Sequence, residues 1–360
     1  MREVPQFLAR AGRFACRRPR LMRWLGSLET RALAPQLDGR RVERPIYVTG
    51  LARGGTTIML EFLAGHPCVG THQYRDFPFV WFPYWWDKAM ARAPEGDPEE
   101  RAHADGIWVT SRSPEAMEEM LWRDFFPHLG DHSRTHVMDA SASHPQFERF
   151  YADHILKLLL ARGRERYAAK GNYNVARLLY ILRMFPGARF IIPVREPVAH
   201  VGSLIRQHRL FCAAPRGVAE HLAREGHFEF GPLRSPINVG TPATARVVDL
   251  WARGQEAEGW AIYWKDIHAH VLGSVRDSAL RAAARIVSYE GLCADPEGGL
   301  RAVLGHCGLA DDGVVGRFAP TLRKPGYGPP MSDAEARMVR EICGETHAGL
   351  MALAHAGTCG

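Results

Sequence analysis

The chain has 360 residues, 46% of them hydrophobic and 24% charged, which is enough to bury a substantial core in one large or two modest domains. No apolar run approaches the roughly 20 residues that cross a bilayer, and the arginine-broken N-terminus lacks the apolar core of a signal peptide. Seven cysteines without a CxxC pair predict reduced thiols and a cytoplasmic protein. The net charge of +7 is local: residues 1–44 hold eleven Arg and four acids, and the other 35 basic and 35 acidic residues cancel.

This basic piece comes first in chain order. Phe7, Leu8, Phe14, Leu21, Trp24, Leu25 and Leu28 mark two short helices split at Pro19. Peripheral contact with a membrane surface or another anionic partner is one reading of the patch; a solvated helical arm packed against the body is the other, and no nucleic-acid partner is expected. Next, "RPIYVT" reads as a buried strand near 45–49, "GLARGGTT" (Gly50–Thr57) as a glycine-rich turn and "IMLEFLAG" as the helix it opens. Strand, turn and helix start make a phosphate cradle, because backbone N–H groups and the positive helix end converge there. An ATPase P-loop follows its last glycine with Lys and then Ser or Thr. Here Thr56 and Thr57 follow Gly55, and the loop's cation is Arg53.

"HPCVGTH" predicts a second strand. The aromatic, proline-broken stretch 74–86 predicts no single regular element; its rings line an acceptor pocket or pack in the core. Helices are expected near 114–124 and 147–162. His128, His132 and His136 fall at i, i+4 and i+8, but Pro127 and Gly130 interrupt a helix there, so no metal site is expected. "RYAAK" predicts a strand ending at Lys170, "NVARLLYILRMF" an amphipathic helix, and "RFIIPV" a strand ending at Arg195. Residues 210–243 read as an insertion or lid, followed by one long helix near 244–272, a strand at "ARIVSY" and a helix near 296–307. Ser332 and Glu335 form a capping box for the last helix. The alternation predicts an α/β fold, a P-loop-type parallel sheet flanked by helices in a single domain with helical insertions. The expected divisions are the basic arm at 1–44, the main domain at 45–330 and a C-terminal helix packed on it at 331–360.

A second anion site lies in "RFIIPVREPVAHVGSLIRQH". Arg195 stands at a strand's C-terminal end, where open α/β sheets bind ligands. Pro197 suits the first position of a helix, and Ser203 lies within that helix, eight residues after Arg195. A guanidinium fork and a hydroxyl together hold a phosphate; the alternative is an Arg on nearby carbonyls and a Ser facing solvent.

Two phosphate cradles of this kind resemble the sulfotransferases that use 3′-phosphoadenosine 5′-phosphosulfate (PAPS), nearest to bacterial and tyrosylprotein-type members. "ARGGTT" is similar to that family's strand-"PRSGTT"-helix signature, and Arg195-Glu196-Pro197 with Ser203 to its Arg-Asp-Pro and following Ser. "AAKGNYN" and "VSYEGLCADP" resemble two further family elements, so the likeness runs from about 45 to 330. The resemblance implies that Arg53, Gly54, Gly55, Thr56 and Thr57 bind the 5′-phosphosulfate and that Arg195 and Ser203 grip the 3′-phosphate. Tyr289 then lies near the adenine and Lys324 in a loop that closes over the nucleotide. Departures are Ala52 for Pro, Gly54 for Ser, Gly171-Asn172 for Ser-Pro or Asp-Pro, and Ser288 for Arg.

The implied reaction is in-line transfer of a sulfuryl group to a hydroxyl of a small-molecule, glycan or lipid acceptor, without a metal. It needs a cation at the leaving oxygen, for which Arg53 and Lys170 are the candidates, and a base on the acceptor. Asp76 is the base expected from the family position, and His72, with an ordinary pKa near 6.5, is its rival. Two other readings are an ATP-dependent small-molecule kinase of P-loop type and a catalytically silent nucleotide-binding protein of the same fold. The kinase requires a lysine after Gly55 and an acid after an apolar strand, where this chain has Thr56 and Arg195.

Overall fold

Ile46–Val48 forms β1, buried at all three positions, as β-branched and aromatic residues in a strand covered on both faces should be. The computed structural model describes residues 6–93, 95–101, 103, 105–323 and 330–356. The other strands are β2 (Val69–Gly70), β3 (Glu99–Glu100), β4 (Trp108–Val109), β5 (Arg166–Lys170), β6 (Arg189–Val194) and β7 (Ala284–Ser288). Five of them make one sheet in the order β2-β5-β1-β6-β7, and each of its pairings is parallel. β3 and β4 form a separate antiparallel hairpin. The expected parallel α/β fold is the one observed.

The register sorts side chains by period two. Ile46, Val48, Ala168 and Ile191 face one core layer with Met59, Phe62, Leu300 and Val303. Tyr47, Ala169, Phe190 and Ile192 face the other, with Phe147, Tyr151 and Trp264. Because β1 lies between β5 and β6, the segments leaving these strands diverge at their C-terminal ends and open a crevice there.

The principal helices are α1 (Gln6–Arg17), α2 (Pro19–Ala32), α3 (Thr56–Ala64), α4 (Pro145–Arg162), α5 (Leu178–Met184), α6 (Pro197–Cys212), α7 (Arg216–Arg224), α8 (Ala243–Ala252), α9 (Glu256–Ser274), α10 (Pro296–Cys307) and α11 (Asp333–Ala356). The single helix expected near 244–272 is instead α8 and α9. Gly254, at φ 75°, takes the left-handed conformation that ends a helix, and the break folds Trp251 onto Trp260 with ring centroids 4.5 Å apart. The helix expected near 114–124 starts only at Glu119, because Pro114 bridges to Gln73 and the Glu115 N–H donates to the His72 carbonyl. "NVARLLYILRMF" begins as a 3₁₀ turn over Asn172–Ala176 before α5. The final helix carries its capping box: the Ser332 N–H donates to Glu335 and the Glu335 N–H to the Ser332 hydroxyl.

The arm is docked through buried chemistry. Lys157 of α4 pairs with Glu29 of α2 at 3.0 Å, both side chains fully buried, and Lys157 also donates to the Gly26 carbonyl at 2.7 Å. Gly26 permits this approach, since a Cβ there would meet the Trp81 carbonyl at 2.5 Å. No described helix is long and apolar enough to cross a membrane.

Candidate active site

β1 delivers the chain into the turn that precedes α3. Gly55 at φ 104° caps α3 in the left-handed region, and its missing Cβ leaves room for the Tyr289 ring, which a side chain would meet at 2.8 Å. Arg53 is also left-handed, at φ 69°, a conformation that costs energy for a residue with a side chain and that clusters at functional turns. The first described bond into α3 is Met59 N–H to the Gly55 carbonyl. The N–H groups of Thr56, Thr57 and Ile58 therefore have no partner inside the helix and stand at its mouth as anion donors.

Side chains from distant elements converge on this mouth. Arg53 Nε donates to Ser203 Oγ of α6 at 3.3 Å, and Lys170 Nζ at the end of β5 donates to Thr57 Oγ1 at 3.1 Å. Thr56 Oγ1 approaches Asn172 Oδ1 at 3.4 Å, and Asn172 in turn donates to Glu229 at 2.8 Å. Arg195 is buried at the end of β6, its guanidinium 5.7 Å from the Tyr289 ring centroid. Tyr289 thus touches both the first loop and the second cation, and its hydroxyl donates to the Arg323 carbonyl at 3.2 Å. These contacts link Arg53, Thr56, Thr57, Lys170, Arg195, Ser203 and Tyr289 around the mouth of α3; Lys324 lies outside the described residues.

Three charged residues at this site carry no expectation from the sequence. Arg101, just past β3, donates to Thr57 Oγ1 at 3.1 Å and to Asp105 Oδ1 at 2.9 Å. Asp105 also accepts from Arg53 Nη1 at 2.6 Å. Burial would raise the Asp105 pKa, but the Arg101 and Arg53 guanidinium groups hold it well below the usual carboxylate range. A carboxylate gripped by two guanidinium groups beside a helix mouth is what an anion site looks like when filled by the chain itself, so the residues present suit a phosphate or sulfate group. Glu115 is the third residue. It lies 3.5 Å from Lys170 Nζ and is buried, yet Lys170 carries its pKa far down against the cost of burial. Only long-range contact reveals Arg101 and Asp105, since "ERAHADG" has neither period two nor period 3.6.

Asp76 and His72 are placed differently from their expected role. Asp76 is buried, with Oδ2 accepting from the Gln73 N–H at 3.0 Å and facing His72 Nδ1 at 3.0 Å. Its other oxygen accepts from Arg162 of α4. His72 Nε2 lies 3.0 Å from His154 Nε2, the two rings stacked. Both bases proposed from sequence are therefore tied into a buried network running to α4, and the acid beside Lys170 is Glu115. Of the aromatic block, Phe77 and Trp81 are core, while Phe79 stacks on Phe82 and meets Trp86 edge to face. His136 is buried and accepts from the Asn238 N–H at 3.2 Å.

Behind Glu115, the Glu225 carboxyl is pushed up to about 8 by burial, with the Glu115 charge adding to the effect. Its neighbour His221, 3.4 Å away, is drawn down to about 4 by burial, so the two are neutral together near pH 7. The folded state keeps the Glu225 proton up to about pH 8, whereas the unfolded chain releases it above about 4.5. The group therefore costs stability increasingly as pH rises through that window. Glu225→Gln is expected to raise the melting temperature at pH 8 and to leave it almost unchanged at pH 5, read by thermal melts at both values.

A parallel sheet with a glycine-rich turn after β1 and cations at the ends of β5 and β6 is a P-loop-type α/β fold. Residues 45–225 match the model of the Sulfotransferase family, half of the chain, and the protein belongs to that family. Its structure is similar to that of sulfotransferase STF1 from Mycobacterium tuberculosis H37Rv, with a TM-score of 0.50 and 17% identity over 92% of this chain and 84% of that one. It is also similar to sulfotransferase STF9 from Mycobacterium avium, with a TM-score of 0.50 and 14% identity over 88% of this chain and 80% of that one. At such identities the likeness shows the shared fold. None of the curated proteins matches the chain.

Proposed function

We propose that this sulfotransferase-family protein takes its sulfuryl group from PAPS and passes it to a hydroxyl by in-line displacement. The observation that carries the reading is the contact of Arg53 with Ser203, which joins the glycine-rich turn to the strand-end Arg195 region in one crevice. When bound, PAPS supplies the activated sulfuryl group. The turn at Arg53–Thr57 receives its 5′ end through the N–H groups of α3, and Arg195 with Ser203 receives the 3′-phosphate. Arg53 and Lys170 neutralise charge that develops on the leaving oxygen, where preorganised cations are worth most. Glu115, beside Lys170, takes the acceptor proton in place of Asp76 or His72.

The acceptor side is supported by a narrow, largely apolar cleft lined by Phe211, Val218, Leu222 and Phe230, with His103, His227 and Glu229 at its polar end. With a free volume of only about 10 Å³, the room of roughly one water, the cleft marks apolar surroundings for the reacting hydroxyl and does not seat a whole acceptor. The test is incubation with labelled PAPS and an acceptor library of phenols, alkyl alcohols, glycans and hydroxylated lipids, with mass spectrometry of products. Sulfated product on any hydroxyl supports the reading; phosphorylated product in a parallel incubation with ATP, and none from PAPS, favours the kinase.

The two acids separate by whether their loss depends on the acceptor. Glu115→Gln is expected to lower kcat by about 10²–10⁴-fold, most with alkyl alcohols of high pKa and least with acidic phenols. It is also expected to lower stability, because it leaves the buried Lys170 without its carboxylate; kcat is therefore read per folded enzyme. Asp76→Asn leaves Arg162 with Asp87 as its remaining carboxylate partner and weakens the contact to His72. It is expected to cost roughly 1–3 kcal/mol of stability, read by denaturant unfolding, with nucleotide affinity and acceptor preference retained in the folded fraction.

A further inference from the structure

Six large hydrophobic side chains are exposed among the described residues, and four of them, Phe7, Phe14, Leu21 and Trp24, belong to α1 and α2. Phe7 and Phe14 stand two turns apart on one face of α1, and Leu21 and Trp24 one turn apart on α2. Their exposure is not incidental to a loose arm, because the opposite faces are fixed. Gly12 and Ala15 of α1 and Met22, Gly26 and Glu29 of α2 are buried. Gly12 lies so near the Phe77 ring that a Cβ would meet it at 2.6 Å, and Glu29 is held by Lys157 and by the Trp85 N–H.

The charge on the same two helices is one-sided. Between Glu3 and Glu29 there are six Arg and no acid, and Arg10, Arg13, Arg17, Arg18 and Arg20 are exposed. Arg18 stands over the Phe14 ring at 5.3 Å, so cations and apolar groups are interleaved on this surface. A lipid surface meets both properties at once. Its acyl boundary accepts Phe and Leu, its interface accepts Trp, and anionic headgroups accept the guanidinium groups. A soluble acidic partner matches the arginines without a need for four bulky apolar groups, and a second copy would set like charges against each other.

We infer that α1 and α2 lie flat on an anionic membrane surface through Phe7, Phe14, Leu21 and Trp24 and the exposed arginines between them. The contact is independent of the transfer chemistry, since none of these residues touches the crevice. The test is co-sedimentation of the full chain with vesicles of phosphatidylcholine alone and of phosphatidylcholine mixed with phosphatidylglycerol, at low and high salt. The wild-type chain is expected to sediment with the phosphatidylglycerol vesicles, less at high salt, and to stay in solution with pure phosphatidylcholine. Arg13→Ala with Arg17→Ala is expected to lower the partition coefficient roughly thirtyfold, about fivefold for each charge. Phe7→Ser with Trp24→Ser is expected to lower it by roughly tenfold or more, and both double variants should keep the wild-type circular dichroism and affinity for 3′-phosphoadenosine 5′-phosphate. A wild-type chain that stays in the supernatant, variants that sediment as the wild type does, or an arm-dependent dimer in light scattering overturns the inference.

Discussion

Lys170→Ala is expected to lower kcat by about 10²–10³-fold, the loss typical of one preorganised electrostatic donor. The side chain stands at the end of β5, whose register beside β1 brings Val48 level with Lys170 and so fixes the ammonium against Thr57. It is 3.1 Å from the Thr57 hydroxyl at the mouth of α3, where charge on a leaving phosphate would collect. The loss should be similar for an acidic phenol and an alkyl alcohol, because a cation at the leaving oxygen acts on the donor side. Removing the ammonium also leaves Glu115 buried without its partner, so its carboxyl pKa should rise and the acidic limb of the pH–rate profile should move to higher pH. Steady-state kinetics with two acceptors across pH reads both effects. A loss confined to one acceptor would assign Lys170 to the acceptor side.

Arg195→Ala is expected to weaken 3′-phosphoadenosine 5′-phosphate (PAP) by roughly tenfold to a hundredfold, since hydrogen bonds to charged groups are worth about 1.5–3 kcal/mol. AMP, which has no 3′-phosphate, should bind the variant about as it binds the wild type. Arg195 is buried beneath the start of α6, and Tyr289 against its guanidinium limits how far another side chain can take its place. Calorimetry with both nucleotides on both proteins gives the comparison directly. Equal weakening for PAP and AMP would move Arg195 from the 3′-phosphate to the nucleotide as a whole.

Features set by local chemistry are legible in the sequence. The strand ends at Lys170 and near Arg195 follow from apolar runs stopped by a charge, and the helix starts at Thr56 and Pro197 follow from a glycine turn and a proline. What escapes is set by partners far along the chain. Asp76 reads as a loop acid near a predicted strand end, and only Arg162, 86 residues later, turns it into the core of an ion-pair network. Glu115 sits within a predicted helix in the sequence, but its backbone bonds to His72 instead, and that bond is what carries its carboxylate to Lys170. Arg101 and Asp105 lie in an irregular segment whose meaning comes entirely from Arg53 and Thr57. The split between α8 and α9 was carried by Gly254 alone, and helical periodicity continues on both sides of it.

The central claim is that this crevice holds a nucleotide with phosphate at both its 5′ and 3′ positions, and calorimetric titration of the wild-type chain with PAP and with AMP tests it most directly. Arg195 and Ser203 predict that PAP binds at least roughly tenfold more tightly than AMP, the share of one charge-assisted contact. Equal affinity for the two nucleotides would contradict the claim.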